Sequence, residues 1–388
     1  MTNIPLARNL STVAPSRIRE IADIAFTMDG VFKLHFGESD MPTPAYIKEA
    51  AFQAMNEGYT FYSENAGLLS LRKAIARKYS DLHDVKVDPE TEIVITASGV
   101  QALNVSIRCV IDPGDEAIIL SPNWPNATSI VSLYGGRPIE IPYTSNRSRF
   151  EIDFDAIASA VTPKTRLLVY TSPSNPLGWV ANPSEQQSLL DFCRKHRLWL
   201  LADEVYERFY YAGPVAPSIL KICSRDDAVI VVHSFSKSYC MTGWRLGWMV
   251  ARSDLIHKAS QLNEFIVSHA PSMIQRAGEI ALEKGEKDIE SMKDSIQERV
   301  NFCFKALSSI ESVSLPQPEG AFYLFPRIEG VTDSFSFALS LLKETKVSLA
   351  PGVAFGNGGE GAVRICCAAD LSVLEPAMER FVKFLKKG

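Results

Sequence analysis

Five short apolar runs constrain this chain more than any other feature. Residues 93–96, 117–120, 167–170, 198–202 and 229–232 show no polar–apolar alternation, and helical stretches separate most of them. A strand that alternates has one wet face, whereas a strand apolar throughout is covered on both. Runs of this kind between helices predict a mostly parallel sheet with helices on both sides. Residues 246–250 read as one further strand. In such sheets ligands bind beyond the C-terminal ends of the strands. The polar residues that follow the runs are therefore the ones to read for chemistry.

The flanking segments have a different texture. Residues 1–30 read as an arm and a short helix, with Ser16 capping 17–25 and Ile18, Ile21, Ile24 and Ala25 on one face. Residues 32–36 read as a short strand ending at Gly37. Helices are predicted over 45–56 and 68–79, and one long helix with a charged face over 280–310. The C-terminal part alternates a strand over 321–325, a helix over 334–344, a strand over 363–366 and a helix over 371–386. The expected division is an N-terminal arm with part of a small domain (1–44), a large domain (45–282) and a C-terminal small α+β domain (283–388).

Charge and cysteine usage exclude several function classes. The 388 residues carry a formal net charge of −5, with positive charges scattered and no basic stripe. Nucleic acid and anionic membrane surfaces are therefore not expected partners. No apolar run approaches the ~20 residues of a membrane helix, and Met1 to Leu10 has no apolar core of signal-peptide length. The seven cysteines lack metal-ligand spacing, and Cys366 and Cys367 are adjacent. That suits neither a disulfide framework nor a zinc site. A reduced, cytoplasmic setting and no metal are expected.

Each strand end carries something unusual. After the first run comes Ala97-Ser98-Gly99-Val100-Gln101-Ala102, where a helix begins on a glycine and its free N–H groups favour a phosphate. After the second comes Pro122-Asn123-Trp124-Pro125, with a tryptophan able to stack on an aromatic ring. After the third, Ser172-Pro173-Ser174-Asn175-Pro176-Leu177-Gly178 presents an asparagine that can donate to a phenolate oxygen. The fourth ends in Ala202-Asp203-Glu204-Val205-Tyr206. An aspartate ending a buried strand calls for a partner such as a protonated pyridine nitrogen, and Tyr206 can share the work at the ring oxygen. The fifth leads into Ser234-Phe235-Ser236-Lys237-Ser238, and Gly243-Trp244-Arg245 follows. A lysine at a strand end can form an imine with a carbonyl cofactor, and hydroxyls with an arginine can hold a phosphate. Arg364, inside a short apolar strand, suits a carboxylate. Taken singly, each piece has a plain structural reading: a turn, a core tryptophan, a helix cap, an internal salt bridge. Together and in this order they describe the site of a pyridoxal phosphate enzyme.

On these motifs the sequence resembles fold-type I pyridoxal-phosphate enzymes of the class I/II aminotransferase family, nearest the bacterial-type aspartate aminotransferase subgroup. Ser-Asn-Pro-x-Gly at 174–178, Asp-Glu-x-Tyr at 203–206 and Ser-x-Ser-Lys at 234–237 with Gly-Trp-Arg carry the likeness, which runs from Gly37 to the C-terminal helix. The resemblance implies the PLP-dependent transferase fold: a large domain with a mostly parallel seven-stranded sheet plus a smaller α+β domain. It implies pyridoxal 5'-phosphate as cofactor, an L-amino acid substrate and a 2-oxo acid acceptor. It makes Lys237 the Schiff-base lysine and base, Asp203 the partner of the ring nitrogen, and Asn175 and Tyr206 the contacts of the ring oxygen. Ser98, Gly99, Val100, Ser234, Ser236 and Arg245 would hold the phosphate. Trp124 would stack on one ring face, with Val205 near the other. Arg364 would bind the substrate carboxylate, helped by Gly37 and Asn175. The family is typically homodimeric, and Tyr62 matches the tyrosine that reaches the neighbouring subunit's phosphate.

Some positions depart from that subgroup. Pro125-Asn126-Ala127 lacks its usual aromatic near 127, Glu38-Ser39-Asp40 replaces Glu-Pro-Asp, and Leu177 replaces a common threonine. No second arginine for a distal carboxylate is evident. An eliminase or cyclase on the same scaffold, resembling the capreomycidine-synthase type, therefore stands as the alternative. Glu38, Asp40 and Glu64 make a cationic, arginine-like substrate an open reading. A binding module that keeps the fold without turnover is a third, opposed by the complete set of catalytic residue types.

Overall fold

The computed structural model describes residues 10–11, 15–145 and 148–387. Seven strands, β1 (Ile93–Thr96), β2 (Glu116–Ser121), β3 (Arg137–Pro142), β4 (Thr165–Thr171), β5 (Trp199–Asp203), β6 (Val229–Ser234) and β7 (Gly247–Ala251), form one sheet in the order β1-β7-β6-β5-β4-β2-β3. β7 is antiparallel to both neighbours, and every other pairing is parallel. The unbroken apolar runs have a simple cause. Val94, Val169, Leu201, Val232 and Met249 pack into one layer, with Leu103 and Ile107. Their neighbours Ile93, Leu168, Leu200, Val231 and Trp248 pack into the other, with Leu71 and Ile75. Both faces are covered, so neither position of the two-residue repeat is polar.

β3 is the strand the apolar runs did not reveal. Only Ile141 in it is buried, and it carries Pro138 and Pro142. It lies at the sheet edge, where a missing N–H leaves no partner unsatisfied.

Three helices, α1 (Arg17–Phe26), α2 (Ala45–Asn56) and α3 (Leu69–His83), precede β1, and α4 (Gly99–Val110) follows it. Ser16 caps α1 as its sequence predicts, its hydroxyl accepting from Arg19 N. The single helix predicted over 280–310 is instead two, Ser272–Lys284 and Glu286–Ser308, separated at Gly285. A one-residue break leaves the helical periodicity almost unshifted, so the pattern could not reveal it. Of the strand predicted over 32–36, only Phe32–Lys33 pairs, running parallel to Val347–Ser348. His35 to Gly37 continue as irregular chain.

A second core lies around Ile296 and Val300 of the helix Glu286–Ser308, with Phe322, Leu324, Ile365, Leu374 and Phe381. It covers a small antiparallel sheet in which Val363–Cys366 is flanked by Tyr323–Leu324 and Ala350–Pro351. Among the described residues no helix is long and apolar enough to cross a membrane.

Candidate active site

The C-terminal ends of β5 and β6, the start of α4 and the small antiparallel sheet meet around one cavity of about 200 Å³. Gly37, Gly99, Val100, Trp124, Asn175, Asp203, Tyr206, Ser234, Ser236, Lys237, Arg245 and Arg364 line it. Ser98 stands just behind, its hydroxyl accepting from Gln101 N at 3.1 Å as the cap of α4. Tyr62 stands apart. It is 90% exposed and meets the edge of the His269 ring, 5.8 Å between centroids.

Lys237 lies three residues past β6. Its Nζ donates to Gly37 O at 2.5 Å and lies 5.6 Å from the Tyr206 ring centroid. Burial in these surroundings lowers the ammonium to about 8. About a fifth is then neutral near pH 7.4, far more than for an ordinary lysine, and the neutral form is the nucleophile. Asp203 is the last residue of β5. Among the described residues its carboxylate accepts from Val205 N alone, at 3.3 Å, and burial raises it to about 6. Among the described residues no cation stands within ion-pair distance of it. A carboxylate placed like this suits a cationic ligand atom.

The opposite end of the cavity suits an anion. Gly99 and Val100 open α4, where the helix N–H groups lack intrahelical partners. A Cβ on Gly99 would meet Ser234 Cβ at 3.1 Å and His233 O at 3.3 Å, so the helix start is pressed against the end of β6. Ser234 Oγ accepts from Ser236 N at 3.1 Å and lies 2.9 Å from Ser236 Oγ. Arg245, in left-handed backbone with φ 57°, is exposed there and donates to Thr242 O at 2.6 Å.

Arg364 forms a third pole. It is wholly buried and lies within 5 Å of the ring centroids of Tyr323 and Phe355. One Nη donates to Asn175 Oδ1 at 3.0 Å and the other to His35 O at 2.5 Å, while Nε has no partner among the described residues. A buried guanidinium N–H left over in this way calls for an anionic acceptor. Because Asn175 accepts through its oxygen, its amide N–H₂ remains free to donate.

Tyr323 is the functional residue that sequence reasoning missed. Its hydroxyl lies 2.7 Å from Tyr206 Oη, and its ring covers Arg364. In sequence it is one aromatic among apolar residues of a short strand, with nothing to single it out. Gly37 is explained by it, because a Cβ there would fall 2.1 Å from Tyr323 Oη. The acids that opened the cationic-substrate reading are mostly engaged. Asp40 pairs with Arg299 at 2.9 Å and Glu64 with Arg72 at 2.6 Å, while Glu38 accepts from the Thr242 hydroxyl.

An amine, an isolated carboxylate and an anion cradle around one cavity fit pyridoxal 5'-phosphate, on the chemistry of the donors alone. The comparisons with known proteins agree. A family model for aminotransferase class I and II matches residues 29–381. The aromatic-amino-acid aminotransferase 2 of Thermococcus litoralis is 37% identical over 385 residues, covering 98% of each chain. An aspartate aminotransferase of Pyrococcus abyssi is 37% identical over 386 residues with the same coverage. A crystal structure of Pyrococcus protein-A1 superposes with a TM-score of 0.93 at 36% identity, covering 98% of both chains. The eliminase or cyclase alternative finds no support among these matches. The chain belongs to the class I and II aminotransferase family and is a pyridoxal-phosphate-dependent aminotransferase.

Proposed function

We propose that Lys237 carries the cofactor and moves the substrate's Cα proton, and that Arg364 holds the substrate's α-carboxylate. The observation that carries this reading is the convergence of Lys237, Asp203 and Arg364, from three separate stretches of chain, on one cavity. When bound, pyridoxal 5'-phosphate supplies an aldehyde carbon that condenses with amines and a ring that takes up the electron pair left by the departing proton. Asp203 would pair with the ring nitrogen and keep it protonated. Asn175 and Tyr206 would donate to the ring oxygen. Gly99, Val100, Ser98, Ser234, Ser236 and Arg245 would hold the phosphate, and Trp124 and Val205 would cover the ring. Lys237, whose ammonium burial lowers to about 8, would take the Cα proton and deliver it onward. Gly37, whose carbonyl accepts from Nζ, keeps the amine aimed while it waits.

The cavity lining carries three cations, Lys237, Arg245 and Arg364, and this reading employs all of them. With none left for a distal carboxylate, and with Trp124 and Tyr323 as walls, we infer that the amino donor has a neutral, preferably aromatic side chain. Pairing of Asp40 and Glu64 counts against an arginine-like donor. The printed name of the Thermococcus litoralis relative agrees with this inference, and that of the Pyrococcus abyssi relative differs. The working form is a homodimer. Phe61, Tyr62 and Phe265 are at least 80% exposed, which supports a second copy covering them, with Tyr62 reaching its phosphate site. A cytoplasmic setting fits seven free cysteines. The test is a half-reaction: purified holoenzyme is mixed with phenylalanine, aspartate or arginine and its cofactor absorbance followed. Conversion fastest with phenylalanine, reversed by a 2-oxo acid, is expected. Preference for aspartate or arginine would overturn the donor assignment.

A further inference from the structure

On the sheet face away from α4, four titratable side chains are sealed inside the apolar layer. Glu207 forms an ion pair with Lys78 of α3. It is also hydrogen-bonded to His83 Nε2 at 3.2 Å, and His233 Nε2 approaches to 3.1 Å, an ion-pair distance without hydrogen-bond geometry. All four side chains are at most 6% exposed. The Trp248 ring stacks on His233 at 4.3 Å, and its Nε1 donates to the Tyr79 hydroxyl at 3.1 Å. Burying an ion pair here sacrifices solvation that an apolar pair would not, and such pairs are poor devices for stability alone. Although burial opposes it, His233 and Lys78 hold Glu207 ionised, well below the usual carboxylate range.

The members of this cluster come from three elements, α3, the turn after β5, and β6, and the last two reach the cavity through Tyr206 and Ser234. Glu207 directly follows Tyr206, and His233 directly precedes Ser234. His233 Nδ1 accepts from Ser234 N at 3.1 Å. That bond requires the imidazole proton on Nε2, the nitrogen that faces Glu207. Ser234 Oγ in turn accepts from Ser236 N. A continuous chain of contacts thus runs from the buried carboxylate to the two hydroxyls that line the cavity's anion end.

We propose that Glu207 is a positioning residue: through His233 it fixes the turn from Ser234 to Lys237 so that Ser234 and Ser236 present their hydroxyls to the cofactor's phosphate. This rests on the phosphate reading given under Proposed function. None of the four side chains lines the cavity, and the effect is expected at the phosphate end.

The test uses the full chain, freed of cofactor and titrated by absorbance with pyridoxal 5'-phosphate and, separately, with pyridoxal. Glu207→Gln should weaken binding of the phosphorylated form about tenfold, while pyridoxal binding stays within about twofold. A Lys78→Met/Glu207→Leu variant replaces the pair with apolar bulk, keeps the fold where the single substitution does not, and should show the same selective loss. Equal loss for both ligands, or no loss for either, would overturn the proposal. Arg245→Ala separates this idea from its foundation. If Arg245→Ala leaves the preference for the phosphorylated form intact, the phosphate reading itself fails. If Arg245→Ala removes that preference and the Glu207 variants keep it, only the positioning role fails.

Discussion

The cavity has two walls built on different principles. The wall proposed to hold the cofactor, from Asp203, Ser234 and Lys237, stands on the ends of β5 and β6, with neighbouring strands hydrogen-bonded along their length. Its groups are underbonded: Asp203 has one backbone donor, and Lys237 has one carbonyl. The wall proposed to face the substrate comes from His35 to Gly37, Tyr323 and Arg364, on irregular chain and two short strands. Its groups are more fully bonded. Arg364 has two acceptors and two facing rings, and Tyr323 holds Tyr206. The first wall keeps charge in reserve for a ligand. The second fixes one guanidinium through two of its five N–H groups and leaves the others, Nε–H among them, for a carboxylate. Reactivity and recognition are thus held apart by how far each wall satisfies its own polar groups.

The largest effect should come from the first wall. Lys237→Ala removes the only amine that contacts Gly37 O, and turnover should fall by about 10²–10⁴-fold at least, the scale of a lost general base. The absorbance band of lysine-bound cofactor should vanish with it. A variant that retained both would dissolve the distinction between the walls. Next comes Arg364→Lys on the second wall. Lysine keeps the charge and loses the forked geometry. The expected cost is about 2 kcal/mol, roughly thirtyfold in kcat/KM, felt mainly in KM. Steady-state kinetics with the preferred amino donor checks it, and a change confined to kcat would place Arg364 with the reactive groups instead.

The same contrast explains what was legible in the sequence. Asp203 and Lys237 were readable because a charged residue ending an apolar run stands out against its neighbours. Arg364 was readable for the same reason, inside Val363–Cys366. The acceptors of Arg364 were another matter: one is His35 O, a backbone atom that every residue possesses. Tyr323 was hidden because an aromatic in a strand reads as core. β3 was hidden because an edge strand with prolines lacks the apolar run that betrayed the others. The break at Gly285 was hidden because two helices one residue apart keep nearly the same phase. Glu207 was passed over since nothing local shows that Lys78 and His83, from a helix more than a hundred residues earlier, converge on it.

A third measurement asks whether the cofactor wall truly stores unfavourable charge. Burial raises Asp203 from an ordinary 3.8 to about 6. The folded protein therefore holds this proton more tightly than the unfolded chain. The associated stability is complete below 3.8 and is lost as pH rises through about 6. Cofactor-free Asp203→Asn should escape that loss and be more stable than the wild type at pH 7.5, by about 1–3 kcal/mol, with the advantage shrinking toward pH 4. With cofactor bound the order should reverse, because the ring nitrogen gives the carboxylate its partner. Thermal melts of both proteins across this range decide it. An advantage independent of pH would mean that the carboxylate is not the source.

The smallest expected effect falls where the two walls touch. Tyr323→Phe removes one hydroxyl, 2.7 Å from Tyr206 Oη, and keeps the ring over Arg364. A neutral hydrogen bond of this kind contributes about 1 kcal/mol, so a roughly fivefold change is expected. Its direction is the informative part. If Tyr323 serves only the substrate wall, KM for the amino donor rises and the cofactor's spectral pKa stays put. But Tyr206 is the proposed donor to the ring oxygen, and the Tyr323 hydroxyl helps to orient that donor. Loss of the hydroxyl should then move the spectral pKa while KM hardly changes, since the cation–π packing on Arg364 survives. The second outcome is expected. It would make the tyrosine pair a second side-chain link between the two walls, beside the bond from Arg364 to Asn175.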